Sequence, residues 1–165
     1  NMVALFRAIV LVCLAAIAVS LRMAPAVHLR VYEKNGLKAR AIVVSCMDFR
    51  LINKVKDMMI SRGYSDNYDF FVLAGAALGY VQKKMPAWQS VLHDHLHYAI
   101  ALHHVREVIF VDHLDCGLYK QTYGLLKGKE EMDKHIAIIN EAKETMRKHY
   151  PLLKFYAVIM DLEGK

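Results

Sequence analysis

The sequence contains little cysteine, proline or glycine, and each scarcity excludes a class of protein. Its 165 residues include only 3 Cys, 3 Pro and 8 Gly. Three cysteines are too few for a small domain held together by disulfides. The low Pro and Gly content, together with 56% hydrophobic residues, excludes a collagen-like repeat, a disordered chain and a low-complexity linker. The length predicts a domain with a sizeable buried core.

The net charge is mildly positive, and it permits several kinds of partner without requiring any of them. The formal charge is +6 at pH 7. A basic chain can bind nucleic acid or an anionic membrane. Here the Lys and Arg residues are scattered rather than interleaved with aromatic residues, so we expect no nucleic-acid binding. A mildly basic enzyme with a small-molecule substrate is the expected class.

Residues 1–26 differ in composition from the rest of the chain. From Ala8 to Leu21 every residue is apolar except Ser20. This run is shorter than the roughly 20 residues of a membrane-spanning helix, and it suits the hydrophobic region of a secretory signal peptide. A membrane anchor with contact through residues 3–21, a buried helix and an arm on a partner subunit remain alternatives. The protein is then secreted, periplasmic or membrane-anchored if the segment is a signal or anchor, and cytoplasmic otherwise.

Residues 27–165 are predicted to form one domain in which strands alternate with helices. Apolar runs rich in β-branched residues predict strands at 40–46, 69–74, 107–112 and 154–161. Apolar residues at helical spacing predict helices at 51–62, 86–105 and 130–149, and residues 75–79 form a turn of small residues. This order predicts a three-layer α/β fold, with a mostly parallel sheet of about four or five strands and helices on both faces. Ligands of such sheets bind beyond the carboxyl ends of the strands.

Two cysteines and a histidine lie at the ends of two predicted strands. Cys46 ends the first strand, whereas His113 and Cys116 follow the third. If these strands are neighbours, the three side chains converge, and two thiolates with an imidazole suit Zn²⁺. Three protein ligands leave one position for water, whose pKa zinc lowers towards about 7 so that hydroxide forms. The sequence therefore predicts one catalytic zinc ion per chain, with an inert pair of core cysteines as the alternative.

A carboxylate and a guanidinium follow the first predicted ligand. Asp48 lies two residues beyond Cys46, and Arg50 lies two residues further on. Arginine can bind a carboxylate through two hydrogen bonds, which keeps the carboxylate ionised and oriented. Asp48 is therefore predicted to orient the zinc-bound hydroxide, with Arg50 holding Asp48. Direct binding of Asp48 to zinc, which would close the site, and a purely structural ion pair remain alternatives.

These residues make the sequence resemble the β-class carbonic anhydrases, in particular their small or divergent members. The matching motifs are C-x-D-x-R at Cys46, Asp48 and Arg50, and H-x-x-C-G at His113, Cys116 and Gly117. The resemblance implies a parallel-sheet α/β fold, zinc held by the Cys-His-Cys set, and an Asp-Arg dyad. It also implies reversible hydration of CO₂ to bicarbonate, in a homodimer or larger homo-oligomer whose neighbouring subunit completes the active-site wall.

The loop after the second predicted strand departs from the pattern of that family. The family usually carries an Asn-Ala-Gly-Asn loop, whereas this chain has Leu73-Ala74-Gly75-Ala76-Ala77. Ala74, Gly75 and Gly117 are predicted to line the substrate pocket. The apolar mouth suits CO₂ and would equally suit CS₂ or COS, so a hydrolase of those molecules remains an alternative. A catalytically silent paralogue that binds zinc or serves in an assembly is a further alternative.

Several histidines fall on the long predicted helix at 86–105. His93 and His97 are four residues apart and share one face of that helix. The simpler interpretation is that these histidines are surface or partly buried side chains. A second metal site or a proton relay at these residues is the alternative.

Overall fold

A parallel sheet forms the centre of the fold. The structure is a computed structural model that describes residues 38–165. Its four strands are β1 (Ala41–Ser45), β2 (Tyr68–Val72), β3 (Glu107–His113) and β4 (Lys154–Met160). They pair in the order β2-β1-β3-β4, and every pair is parallel. The predicted α/β fold is thereby confirmed, and the first and third strands are neighbours, as the predicted site requires.

Burial of the strands follows their place in the sheet. The central strands β1 and β3 are buried at every position, which explains their nearly continuous apolar sequences. The edge strands β2 and β4 each pair on one side only, and they contain exposed and partly exposed residues. The core of the described residues therefore surrounds the two strands that lead to the predicted ligands.

Helices cover both faces of the sheet, as the sequence predicts. The helices of the described residues are α1 (Ile52–Ser61), α2 (Ala77–Val81), α3 (Pro86–His103), α4 (Gly117–Tyr123) and α5 (Gly128–His149). Met59 of α1 lies beside Ile109 of β3, whereas Tyr80 of α2 packs against Phe110 of the same strand. Neighbouring strand residues point to opposite faces, so α1 and α2 lie on opposite sides of the sheet. Helices α3 and α5 both contact α2.

Two short helices were not predicted. The sequence predicts a turn over 75–79, but α2 begins at Ala77. Glycine is required at position 79, because a Cβ there would lie 2.3 Å from the carbonyl oxygen of Ala74. Helix α4 follows Cys116 directly. Both helices are shorter than the windows in which helical periodicity can be recognised.

The long helices match their predictions with small shifts at the ends. Helix α3 has Pro86 in its first turn and ends at His103, two residues earlier than predicted, because His104 adopts a left-handed conformation with φ 59°. Helix α5 begins at Gly128 rather than at residue 130, with acidic residues in its first turn and basic residues in its last. Within residues 38–165, no helix combines the length and apolar character of a membrane span. The predicted segment 1–26, with its membrane contact through residues 3–21, lies outside the described residues.

Candidate metal centre

Two cysteines and one histidine meet at the carboxyl ends of β1 and β3. Cys46 follows β1, His113 is the last residue of β3, and Cys116 immediately precedes α4. Register places Ser45 of β1 beside Val111 of β3, so the two strands end side by side. The three ligand atoms all lie within 4.8 Å of one another, and all three residues are buried. The Sγ atoms of the two cysteines are 4.0 Å apart.

The histidine presents a free nitrogen to this group. His113 Nδ1 lies 2.8 Å from the carbonyl oxygen of Leu114, which can only accept, so Nδ1 carries the proton. Nε2 is buried and has no hydrogen-bond partner among residues 38–165. A buried polar atom without a partner is rare unless a ligand completes it. A bare Nε2 beside two sulfurs is the donor set that a tetrahedral Zn²⁺ site requires, so the residues present fit the metal.

The two sulfurs differ in their protonation. Hydrogen bonding with Cys116 lowers the pKa of Cys46 to about 4, and the neighbouring His113 and the N–H of Gly75 contribute. The same interaction with Cys46, together with burial, raises the pKa of Cys116. Burial by itself would lower the pKa of His113, but the Cys46 sulfur outweighs it and the pKa rises. Cys46 therefore loses its proton more readily than Cys116, and thiolate is the form that binds a metal.

Backbone N–H groups face both sulfurs. Gly75 N–H donates to Cys46 Sγ over 3.3 Å. The N–H groups of Leu118 and Tyr119, in the first turn of α4, stabilise the thiolate form of Cys116. The Cys46 sulfur thus receives a hydrogen bond from the loop that follows β2, whereas Cys116 lies at the start of α4.

Asp48 and Arg50 form the predicted pair beside the ligands. Arg50 Nε lies 2.9 Å from Asp48 Oδ1, and Nη2 lies 2.6 Å from Oδ2. These hydrogen bonds lower the pKa of Asp48 to about 2. Asp48 Oδ2 lies 3.8 Å from His113 Nε2, yet Asp48 is not part of the three-residue group that could share an ion. The carboxylate is thus held by Arg50 at the edge of the candidate metal centre.

Asp115, which was not predicted as a site residue, extends this pair. Arg50 Nη1 donates to Asp115 Oδ2 over 3.1 Å, and Lys120 forms a second ion pair with Asp115. Asp115 is an uncommon non-glycine residue with positive φ, at 63°, and its N–H donates to Glu131 of α5 over 2.6 Å. An acidic residue inside the H-x-x-C loop was the available signal, but its partner Arg50 is 65 residues away.

A cavity of about 620 Å³ lies over the ligands. It is lined by all three predicted pocket residues, Ala74, Gly75 and Gly117, and by both members of the Asp48–Arg50 pair. Leu118, Met47 and Phe49 make much of the remaining wall apolar. These three side chains were not predicted as pocket residues, because the sequence does not show which residues surround the cavity.

His93 and His97, considered as a relay or second metal site, are not part of this centre. His93 lies between two tyrosines, with Nε2 3.2 Å from the hydroxyl of Tyr80 and Nδ1 3.1 Å from that of Tyr150. Within the described part of the chain, the one group of metal-ligating side chains is the Cys46–His113–Cys116 set. The hydroxyl groups of the two tyrosines thus form hydrogen bonds with both ring nitrogens of His93.

Comparison with known proteins gives several matches that extend over most of the chain. Solved structures with related architecture include β-carbonic anhydrase isoform I of Trichomonas vaginalis, with a TM-score of 0.49, 15% identity and coverage of 97% of this chain and 94% of that one. A mutant of the β-carbonic anhydrase CafD of Aspergillus fumigatus has a TM-score of 0.49 and 13% identity, covering 80% of this chain and 87% of that one.

Closer sequence matches come from curated proteins and from a family profile. The uncharacterized protein RC0076 of Rickettsia conorii is 34% identical over 130 residues, which are 77% of this chain and 70% of that protein. An uncharacterized protein of Rickettsia bellii is 33% identical over 130 residues, covering 77% of this chain and 79% of the relative. The profile of the family described as "Putative carbonic anhydrase" matches residues 37–163. The chain therefore belongs to this carbonic anhydrase family.

Proposed function

We propose that the protein is a zinc enzyme that hydrates carbon dioxide reversibly to bicarbonate and a proton. Cys46, His113 and Cys116 are the residues that would hold the ion. The observation that carries the proposal is the bare, buried Nε2 of His113 close to two sulfurs, beneath a cavity that also contains an ionised carboxylate. When bound there, zinc would lower the pKa of water towards neutrality and so supply the nucleophile.

Asp48 would orient the attacking water. Its pKa of about 2 means that it is a carboxylate at neutral pH and can only accept hydrogen bonds. A water that donates to Asp48 has its lone pair turned away from the carboxylate, towards a substrate in the cavity. Asp48 is too weak a base to keep the proton that the reaction releases, so that proton passes to solvent. Arg50 fixes the carboxylate through both of its oxygens.

The walls of the cavity suit a small, uncharged and linear substrate. Ala74 and Gly75 have small side chains or none, and Leu118 adds an apolar side chain to the same cavity. Apolar walls exclude water from the substrate and leave its position to be set by packing. The same walls would accept CS₂ or COS, which keeps a hydrolase of those molecules as the second candidate. Release of sulfide from either molecule distinguishes this candidate from CO₂ hydration.

A silent zinc-binding or assembly role receives less support from the geometry. A carboxylate in the fourth ligand position, or a centre without a cavity, would favour such a role. Asp48 is instead bound to Arg50, and the ligands lie beneath a cavity of about 620 Å³.

We further propose that the protein works as a homodimer or larger homo-oligomer. Met47 and Phe49 lie at the edge of the cavity with exposed fractions of 64% and 82%. Apolar patches exposed beside a functional cavity are typical of interaction surfaces. A second copy seated there would bury them and complete the cavity wall.

The test of the proposed reaction is CO₂ hydration by stopped flow, with zinc quantified in the same preparation. We expect hydration that scales with zinc content, and a Cys46→Ser variant that has lost both zinc and activity. Full zinc occupancy without hydration at neutral and at mildly alkaline pH would contradict the proposal. Sulfide release under those conditions would favour the hydrolase instead.

A further inference from the structure

A buried carboxylate lies behind the candidate metal centre and joins three helices. Asp112 precedes His113 on β3 and points to the opposite face of the sheet, with an exposed fraction of 1%. Its Oδ2 accepts a hydrogen bond from the hydroxyl of Tyr119 on α4, over 2.6 Å. The same oxygen lies 3.0 Å from Nδ1 of His135 on α5. Oδ1 accepts the N–H of Ala77 on α2, over 3.1 Å.

These partners are buried and packed on one another. His135 has an exposed fraction of 0%, and its ring centroid lies 3.7 Å from that of Tyr119. A carboxylate can only accept, so Nδ1 of His135 is the donor. A carboxylate is unfavourable inside a protein unless hydrogen bonds replace its lost water, and Asp112 receives three such bonds.

Two of these hydrogen bonds anchor the backbone segments that reach the sulfurs. Ala77 lies two residues after Gly75, whose N–H donates to Cys46 Sγ. Tyr119 lies three residues after Cys116, in the first turn of α4, where Lys120 N–H donates to the carbonyl oxygen of Cys116 over 3.0 Å. One carboxylate therefore ties together the loop that donates to the Cys46 sulfur and the helical turn that begins after Cys116.

We propose that Asp112, Tyr119 and His135 are positioning residues that hold the Gly75 N–H on the Cys46 sulfur and the backbone of Cys116 at the start of α4, and thereby set the affinity of the centre for zinc. None of the three belongs to the candidate ligand set, and none lines the cavity. They act through the loop after β2 and through the start of α4. Outer residues that orient metal ligands change affinity or activity by about 10–100-fold when they are removed.

The other end of β3 provides a matched control. Glu107 is also buried there and accepts a hydrogen bond from a buried tyrosine, Tyr64, over 2.7 Å. Tyr119→Phe and Tyr64→Phe thus each remove one hydroxyl that donates to a carboxylate of the same strand. Only Tyr119 lies near the metal centre. A purely structural role would make the two variants equivalent.

The experiment compares these two variants as purified full-length proteins. Zinc affinity is measured by competition with a chromophoric chelator, and the thiolate-to-metal charge-transfer band is recorded after replacement of zinc by Co²⁺. We expect Tyr119→Phe to bind zinc about 10–100-fold more weakly and to shift the cobalt band. Tyr64→Phe should leave both unchanged. Unchanged zinc affinity in Tyr119→Phe, or an equal loss in both variants, would overturn the proposal.

A second pair of variants tests the positioning role if Tyr119→Phe does not fold. His135→Leu and His135→Gln both remove the ring that packs on Tyr119, but glutamine keeps an N–H that can donate to Asp112. Zinc affinity should fall in His135→Leu and recover substantially in His135→Gln. Equal affinities in the two would contradict the positioning role. The role rests on the proposed zinc enzyme, but zinc affinity is measured without CO₂, so a failure of hydration leaves this result interpretable.

Discussion

The guanidinium of Arg50 forms hydrogen bonds with both carboxylate oxygens of Asp48. Its Nε lies 2.9 Å from Oδ1 and 3.1 Å from Oδ2, and its Nη2 lies 2.6 Å from Oδ2. The backbone N–H of Arg50 adds a further bond to Oδ1 over 3.0 Å. Such a planar arrangement fixes the rotation of the carboxylate as well as its charge. Asp48 is consequently oriented before any substrate enters the cavity.

Replacement of Asp48 separates metal binding from turnover. Asp48→Asn keeps the size of the side chain but lacks the negative charge and one acceptor. We expect zinc content to stay at the wild-type level and the hydration rate to fall by about 100-fold or more. Asp115→Asn removes only the outer partner of Arg50 and should reduce the rate much less. Stopped-flow rates with zinc analysis check both, and zinc loss in Asp48→Asn would mean that Asp48 is a ligand.

The Arg50–Asp48 pair also predicts how stability depends on pH. The pKa of Asp48 is about 2 in the folded chain, against an ordinary value of about 3.9. The depressed pKa means that the pair contributes stability above about pH 5 and loses it as the pH falls towards 2. The pKa of Asp115, lowered by Lys120 and Arg50, acts with the same sign.

Arg50→Met should remove much of the dependence of stability on pH. The free energy of unfolding, measured with urea on zinc-free protein at several pH values, should fall more steeply in wild type than in the variant between about pH 5 and pH 2. Parallel curves for the two proteins would show that Arg50 does not hold the pKa of Asp48 down.

Zinc should stabilise the folded chain. An ion that binds the native state alone adds about 4 kcal/mol when it is present at about a thousandfold excess over its Kd. Removal of zinc with a chelator should therefore lower Tm, and restoration of zinc should recover it. Cys116→Ser should remove the difference between the two conditions, since one ligand is lost. A chelator-insensitive Tm in wild type would argue against a zinc ion bound at Cys46, His113 and Cys116.

The sheet and the candidate ligands could be predicted because their signals are local. The strands at 41–45 and 107–113 are central and fully buried, so their sequences are short, nearly continuous apolar runs. Each run ends in residues with metal-binding chemistry. Parallel strands bring such ends to one edge of the sheet, which is where the structure places Cys46, His113 and Cys116.

The surroundings of the ligands could not be predicted in the same way. The bonds of Asp112 to Ala77 and His135 span 35 and 23 residues, so they depend on how helices pack across the sheet. A buried Asp and a buried His have no periodic signature in the sequence. The short helix at 117–123 was missed as well, and with it the turn in which Lys120 N–H donates to the carbonyl oxygen of Cys116.

The exposed apolar residues at the cavity predict the effect of a charge there. Phe49 is 82% exposed beside the cavity, and Leu152 is 88% exposed just before β4, at the opposite end of the sheet. If a second copy covers the cavity edge, Phe49→Asp should shift the protein to monomers, and Leu152→Asp should not. Sedimentation velocity measures both. A monomeric wild type, or an unchanged assembly in Phe49→Asp, would contradict the proposed interface.

Gly75 and Gly117 both line the cavity, but only Gly75 needs to be glycine. Gly75 has φ 70°, and a Cβ there would lie 2.6 Å from Cδ2 of Leu118. At Gly117 a Cβ would meet nothing within 4 Å, and its φ is not in the left-handed range. Gly75→Ala should therefore reduce the free energy of unfolding by about 1–2 kcal/mol from backbone strain alone, whereas Gly117→Ala should be tolerated.

The two substitutions should also differ in their effect on zinc affinity. This difference has a cause other than the strain that lowers stability. Gly75 N–H donates to Cys46 Sγ, so a backbone shift that relieves strain at residue 75 lengthens a bond to a ligand sulfur. Gly117→Ala moves no donor to Cys46. Urea unfolding and chelator competition on both variants measure the two effects separately. Weaker zinc binding in Gly75→Ala at concentrations where the protein stays folded would show that the loop after β2 supports the metal centre, whereas wild-type affinity would limit its role to shaping the cavity.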